Sequence, residues 1–182
     1  MPTEPEILTL SSHVVYANRW MTVREDAIER RDGSRGIYGV VEKPDFAVVA
    51  AIEGGRVHLV EQYRYPLGQR FLELPQGSWP AGASGPPEAL ARLELREETG
   101  IVAARMIHVG NVHAGSGFMA QRYDVFLAQD LAFGAPELEA EEQGLVTRSL
   151  AVDEVIAMIC AGEITDAPTL VTFGLLRLKG YV

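Results

Sequence analysis

The sequence predicts an α+β fold, a sandwich of helices on a mixed sheet, and three observations predict it. Strand signals fill the chain from Ile7 to Pro75 and return from Arg105 to Ala151. One amphipathic helix, opened by Pro86-Pro87 and closed by Gly100, interrupts them. Two more helical patterns end the chain. Strands and helices that each have one apolar face bury it by stacking in layers around one core. At 182 residues the chain has room for one domain, or one domain with a small annex.

The elements follow in order. Residues 7 to 16, ILTLSSHVVY, read as a weak strand. Met21 to Arg31 alternates, Asp32-Gly33-Ser34 marks a turn, and Gly36 to Glu42 returns, which predicts a hairpin. Phe46 to Ile52 is a continuous apolar run, FAVVAAI, suited to a strand buried on both faces. Glu53-Gly54-Gly55 turns it into Arg56 to Tyr65, and Phe71 to Pro75 is a short strand. Beyond the central helix, Arg105 to His113 and Gln121 to Leu127 predict an antiparallel pair, and Leu131 to Gln143 an acidic loop. Val146 to Ala151 is a strand and Val152 to Cys160 a helix. Asp166, with Pro168 close behind, suits the N-cap of a last helix running through Leu178.

Composition narrows the function classes. The chain is 47% hydrophobic, enough for a core, and carries a net charge of −9. That charge argues against binding duplex nucleic acid, which wants a basic face. A single cysteine, Cys160, excludes an intramolecular disulfide framework and suits a reducing compartment. It is expected to be a small buried hydrophobe. No apolar run is long enough to span a membrane, and no basic-flanked apolar leader opens the sequence. A cytoplasmic protein is therefore expected.

The most informative segment is the end of the central helix. Glu94, Glu97 and Glu98 fall at i, i+3 and i+4, within roughly 100° of one helix face. None has a lysine or arginine three or four residues away. Like charges so placed repel by about a few tenths of a kcal/mol per pair, and the helix dipole disfavours anions in the last turns. Arg92 and Arg96 lie on the opposite face, where Glu88 and Arg92 form a favourable i, i+4 pair. The acidic face is flanked instead by Leu90, Ala91, Leu93 and Leu95, which want burial. A solvated charged surface is the bland explanation; the missing partners and apolar flanks favour a divalent cation. Carboxylate and carbonyl oxygens suit Mg²⁺ or Mn²⁺.

Leu74-Pro75-Gln76-Gly77, a loop, and Glu94-Leu95-Arg96-Glu97-Glu98-Thr99-Gly100-Ile101 together resemble the signature box of the Nudix hydrolases. The second half matches well. The first half departs twice: Leu93 stands where the family has an arginine, and the loop after Gly77 is longer, so that the family's middle glutamate falls near Gly85. Glu61-Gln62-Tyr63-Arg64, Glu73-Leu74-Pro75 and the C-terminal part are similar to ADP-ribose pyrophosphatases and nucleoside diphosphate sugar hydrolases of that family. The resemblance implies an α/β/α sandwich with an N-terminal antiparallel hairpin annex. It divides the chain into residues 1–44, the annex and expected site of homodimerisation in that branch, and residues 45–182, the hydrolase domain.

The resemblance also implies roles. Glu94, Glu97 and Glu98, with the backbone carbonyl of Gln76, would hold the metal. Arg64 would clamp a diphosphate through its planar fork, although alone it reads as a rim charge. Gln62 and Glu73 would line the same site, with Glu73 holding Arg64 or Arg70 or assisting at the metal. Trp20, which by itself reads as core, would stack on a base. Gly115-Ser116-Gly117-Phe118 looks like the family's glycine loop beside the substrate, and Gly117 is its expected contact, though a plain hairpin turn explains it equally. His108 and His113 read as packed or hydrogen-bonded. In sugar-diphosphate members the general base often comes from a late acidic loop, which here offers Glu139, Glu141 and Glu142; the last two immediately precede a strand and are preferred.

The expected reaction is metal-dependent hydrolysis of a nucleoside diphosphate linked to a sugar, ADP-ribose first, to a nucleoside monophosphate and a sugar phosphate. A nucleoside triphosphate, a dinucleoside polyphosphate or an RNA 5′ end remain alternative substrates. A nucleotide-sugar-binding regulator without turnover is the rival from another class; the intact glutamates oppose it, and Leu93 is its one support.

Overall fold

The computed structural model describes residues 5–80, 82–138 and 140–182, the side chain of Glu141 excepted. Two compact units divide the chain: one is the N-terminal segment to Asp45 with His113–Arg122, the other Phe46–Val112 with Tyr123–Val182.

The first unit is built on a three-stranded antiparallel sheet, β1 (Ile7–Ala17), β2 (Thr22–Arg30) and β3 (Arg35–Glu42). The weakly patterned first segment is thus a full strand, one bulged twice against β2. Its weakness as a signal has a cause: every residue of β1 is exposed, so no face needed to alternate. The β2–β3 turn follows its chemistry. Asp32 accepts from Ser34 N at 2.9 Å, and Gly33 takes φ 79°, a region open to glycine.

The second unit holds a seven-stranded mixed sheet of β4 (Phe46–Glu53), β5 (Arg56–Arg64), β6 (Gln69–Glu73), β7 (Gln76–Ser78), β8 (Ile101–His113), β9 (Arg122–Phe133) and β10 (Val146–Ala151). Its main order is β10-β5-β4-β9-β8, with β4 and β9 parallel. Helix α1 (Pro87–Thr99) covers one face through Leu90, Ala91 and Leu95, packed on Ala47, Val49 and Ala51. Helices α2 (Val152–Ala161) and α3 (Ala167–Leu178) cover the other through Val155, Phe173 and Leu176, against Val48 and Ala50. The run from Ala47 to Ala51 is fully buried, as an uninterrupted apolar strand between two helical layers must be. The architecture is the expected α/β/α sandwich.

Cys160 departs from expectation. It is exposed, because α2 turns Val155 inward and residue 160 falls well round the helix from it. The start of the expected acidic loop, Leu131–Phe133, belongs instead to β9.

One feature of the sheet positions the site. Strands β4 and β5 pair only at Ala51–Glu53 with Arg56–His58, then separate. Strand β6 continues along β5 and β7 along β4, so the corner Leu74-Pro75 sits in the fork between them. Backbone groups at this corner leave the ladder and find other partners. Pro75 O accepts from Val49 N at 2.9 Å, Leu74 N donates to Thr169 Oγ1 at 2.9 Å, and Gln76 N donates to Glu98 Oε2 at 3.1 Å.

Candidate active site

The acidic face of α1 points into this fork. The helix starts at Pro87 and stops at Gly100, whose φ of 72° lets its N–H close on Arg96 O. Glu94 and Glu98, one turn apart, share the buried face with Leu90, Ala91 and Leu95, and are only 8% and 2% exposed. Gly77 makes this possible, since a Cβ there would fall on the Glu94 carboxylate. The third carboxylate of the cluster comes from elsewhere. Glu142, in a 3-10 turn Ala140–Glu142 just before β10, brings its oxygen to within 4.8 Å of those of Glu94 and Glu98.

The electrostatics of this cluster ask for a cation. Burial, then the Glu94 charge and then that of Glu142, push the Glu98 carboxyl well above the usual carboxylate range. The Gln76 N–H and the more distant Arg64 work against that shift. An all-oxygen donor set with two buried carboxylates and a half-buried third fits a hard divalent ion. Gln76 is tied to this cluster through its backbone N–H, which Glu98 accepts.

Of the other box residues, Glu97 is half-buried and outside the group of converging oxygens. Its carbonyl accepts from Glu137 N at 2.8 Å, which ties the acidic loop to the end of α1. Leu93 lies on a different face of α1, lining a shallow groove with Ala89, Arg92, Arg96, Val102 and Ala103. Near the family's middle acidic position stands Gly85, against the Trp79 indole, where a Cβ would meet Trp79 Cζ2 at 2.9 Å and force one of them to shift.

Beside the acidic cluster lies a second network centred on Glu73, which is 1% exposed. Arg64 donates to it from Nε at 2.8 Å and from Nη2, Gln76 Nε2 donates at 3.0 Å, and Gln62 Nε2 lies at 3.5 Å. Glu73 thus holds Arg64, while Arg70 turns to Glu61. The Glu73 bond is also the main reason the Arg64 guanidinium is driven further above its ordinary value. Two donors of the Arg64 fork are therefore already engaged, and what it offers a ligand is a fixed cationic edge rather than the open fork.

Sequence reasoning assigned Asp166 only a cap, and the cap is there: its side chain accepts from Thr169 N at 3.0 Å. It also accepts from Thr169 Oγ1 at 2.7 Å and faces Gln76 Nε2 at 3.4 Å. Burial, with help from Glu73, raises the Asp166 carboxyl against these bonds. The signal for this role was the N-cap itself, which fixes where the carboxylate stands but not what lies opposite.

Trp20 and Gly117 belong to the first unit. Trp20 is exposed beside an Asx turn in which Asn18 Oδ1 accepts from Trp20 N and Met21 N, and the Arg19 guanidinium sits 4.1 Å from the centre of its ring. Gly117 O accepts from Tyr38 Oη at 2.7 Å. His108 pairs with Asp124 at 2.7 Å rather than with any acidic cluster. Glu139 and the side chain of Glu141 lie outside the described residues.

Fold and site define a hydrolase class, and comparison with known proteins agrees. Residues 42–165 match the family model of the NUDIX domain, and residues 7–41 that of the nucleoside diphosphate sugar hydrolase N-terminal domain. The chain belongs to the Nudix family. It is 26% identical over 173 residues to the ADP-ribose pyrophosphatase of Bacillus subtilis (strain 168), covering 94% of this chain and 92% of that one. It is 30% identical over 166 residues to the ADP-ribose pyrophosphatase of Mycobacterium tuberculosis, covering 90% and 80%. Among solved structures, an ADP compounds hydrolase shares the fold with a TM-score of 0.84 at 20% identity, over 100% of this chain and 98% of its own.

Proposed function

We propose that this Nudix hydrolase cleaves the diphosphate of ADP-ribose or another ADP-sugar, with Mg²⁺ or Mn²⁺, to AMP and a sugar phosphate. The observation that carries the reading is the convergence of Glu94, Glu98 and Glu142 beside Gln76, next to an arginine already fixed on Glu73. The names of the relatives supply the substrate class.

Glu94 and Glu98 are the proposed metal ligands, with the Gln76 carbonyl; Glu97 is the further carboxylate the motif contributes. When bound, the ion neutralises phosphate charge and lowers the pKa of water. Arg64 holds one phosphate of the substrate, and Glu73 keeps its guanidinium from swinging away. Gln62 steadies the same phosphate edge. Glu142, or Glu141 beside it, takes the proton as the water oxygen bonds to phosphorus. The bridging P–O bond then breaks, and its electrons stay on the departing phosphate. Trp20 and Gly117 contact the base and sugar in this reading.

The N-terminal segment, residues 1–44, is proposed as an annex that joins two copies into a homodimer. Its sheet exposes Leu8, Leu10, Val14, Val15, Tyr16 and Ile37, and a small sheet without a covered face is marginal in water. No helix among the described residues is long and apolar enough to cross a membrane; a cytoplasmic site, suited to an exposed free thiol at Cys160, is proposed with it.

A panel of nucleotide sugars with Mg²⁺ or Mn²⁺, scored as phosphate after phosphatase coupling, tests the reading. ADP-ribose or an ADP-sugar should lead. Turnover of nucleoside triphosphates alone would overturn the substrate assignment and leave the hydrolase assignment standing.

A further inference from the structure

Glu142 reaches the acidic cluster from a turn, and turns carry little order of their own. The structure shows what fixes this one. Arg70, on β6, points away from Glu73. Its Nε donates to Glu61 Oε1 at 2.6 Å, and its Nη2 donates to two backbone carbonyls, that of Glu61 at 2.7 Å and that of Gly144 at 2.8 Å. Gly144, at φ 87°, is the residue at which the chain reverses into β10. Between it and β10, Leu145 N donates back to Glu142 O at 3.0 Å and closes the turn. Glu61 also accepts from Arg148 Nε at 2.9 Å, and Arg148 lies on β10 just past the turn. One carboxylate thus gathers two guanidiniums, one before and one after the reversal.

We propose that Arg70 is a positioning residue, which by clamping the carbonyl of Gly144 to Glu61 holds Glu142 beside Glu94 and Glu98. The clamp is made of charge-assisted hydrogen bonds to one carboxylate and two carbonyls, and only a planar fork spans all three. Arg70 touches neither the acidic cluster nor the Glu73 network, so its effect must travel through the turn. The inference rests on the proposed role of Glu142.

A double-mutant cycle tests it. Arg70→Ala should lower kcat by about tenfold or more with KM within about twofold, and in an Glu142→Gln background it should change kcat by less than about twofold, since residues acting through one another are not additive. Arg70→Lys should recover part of the loss, because an ammonium reaches some but not all of the three acceptors. A second readout needs no substrate, because the Glu142 carboxylate adds its charge within 4.8 Å of those of the proposed ligands Glu94 and Glu98. Free Mn²⁺ measured by electron paramagnetic resonance should show weaker binding in Arg70→Ala than in wild type, and no further weakening when Glu142→Gln is already present. If no nucleotide sugar is turned over by the wild type, the functional reading fails, and the Mn²⁺ titration alone decides the role of Arg70. Equal losses in both backgrounds would overturn the proposal, as would kcat and Mn²⁺ binding unchanged by Arg70→Ala. Should Arg70→Ala fail to fold, the same cycle is run with Arg70→Lys, with the same two outcomes.

Discussion

The two sheets of this chain use their apolar residues in opposite ways. In β4, Ala47 through Ala51 are fully buried between α1 on one face and α2 with α3 on the other. In β1, a longer strand with as many apolar residues, nothing is buried. Area removed from water stabilises a fold at about 25 cal/mol per Å², so the second unit is stabilised by its own core. In the first unit Ile28 is the one buried apolar side chain among the described residues. The candidate metal site belongs to the first kind of region: every member of the acidic cluster and of the Glu73 network lies in the second unit. The comparison separates a sheet whose covered faces hold buried carboxylates in place from a sheet whose apolar residues stay exposed. Each prediction below moves one and leaves the other.

The largest effect is expected in the acidic cluster. Glu98→Gln keeps the shape of a side chain that is 2% exposed but removes the charge a cation would meet. Turnover should fall by at least roughly a few hundredfold, the scale of losing a metal ligand's electrostatic role. Circular dichroism and the mass in solution should not change. Normal turnover in this variant would break the assignment of the site.

Next in size is Arg64→Ala, expected to weaken affinity for ADP-ribose or an ADP-sugar by about 1.5–3 kcal/mol, the scale of a hydrogen bond to a charged group. The structure adds a consequence that the sequence did not show. Glu73 would lose two of its donors while remaining buried, and an uncompensated buried charge destabilises. Thermal stability should therefore fall too. Arg64→Ala with Glu73→Gln should recover stability and leave affinity weak. Recovery of both would mean that Arg64 acts only on the fold.

The first unit is broken separately. Wild type should run in light scattering at twice its chain mass of about 20 kDa, and Val15→Asp with Ile37→Asp, at exposed positions, should halve that value. A wild-type monomer at micromolar concentration would remove the dimer from the reading, and the exposed face of β1 would need another explanation.

How much of this was legible in the sequence depended on how far apart the interacting residues lie. FAVVAAI announced a doubly covered strand because burial on both faces leaves no room for alternation. Helix α1 announced its ends by Pro86-Pro87 and Gly100, and its odd face by three carboxylates lacking local cations. Strand β7 was invisible: Gln76-Gly77-Ser78 has no apolar pattern, and it is a strand only because β4 lies alongside. The partner of Glu73 was undecided between Arg64 and Arg70, since sequence spacing says nothing of which face of the fork each arginine meets. The choice among acidic-loop residues was likewise narrowed to a pair, and only the turn brings Glu142 to Glu94 and Glu98. Cys160 was misjudged by composition, because a cysteine's usual burial yields to the helix face it occupies. These failures share a cause. Long-range partners are set by the packing of the sheet, which the local pattern reports only where both faces are filled.

The smallest expected effect concerns pH, and it sharpens the contrast between the two regions because it belongs to one side chain. In the fold the Glu98 carboxyl lies well above its ordinary value of 4.5, chiefly through burial and then through Glu94 and Glu142. The native state therefore binds this proton more tightly than the unfolded chain does. Stability changes with pH in proportion to the protons bound by the unfolded state minus those bound by the native state, and here that difference is negative. Metal-free protein should accordingly lose stability as pH rises from about 4.5 toward the raised native value. Glu98→Gln should flatten this slope and melt higher than wild type at pH 8 without metal, by about 2–4 °C for each kcal/mol relieved. Adding Mn²⁺ should reverse the order, raising the melting temperature of wild type more at pH 8 than at pH 5 and that of Glu98→Gln little at either. A steeper fall in Glu98→Gln than in wild type would show that the repulsion is not centred on this residue. If Val15→Asp with Ile37→Asp altered the same slope, the separation between the site and the N-terminal sheet would not hold.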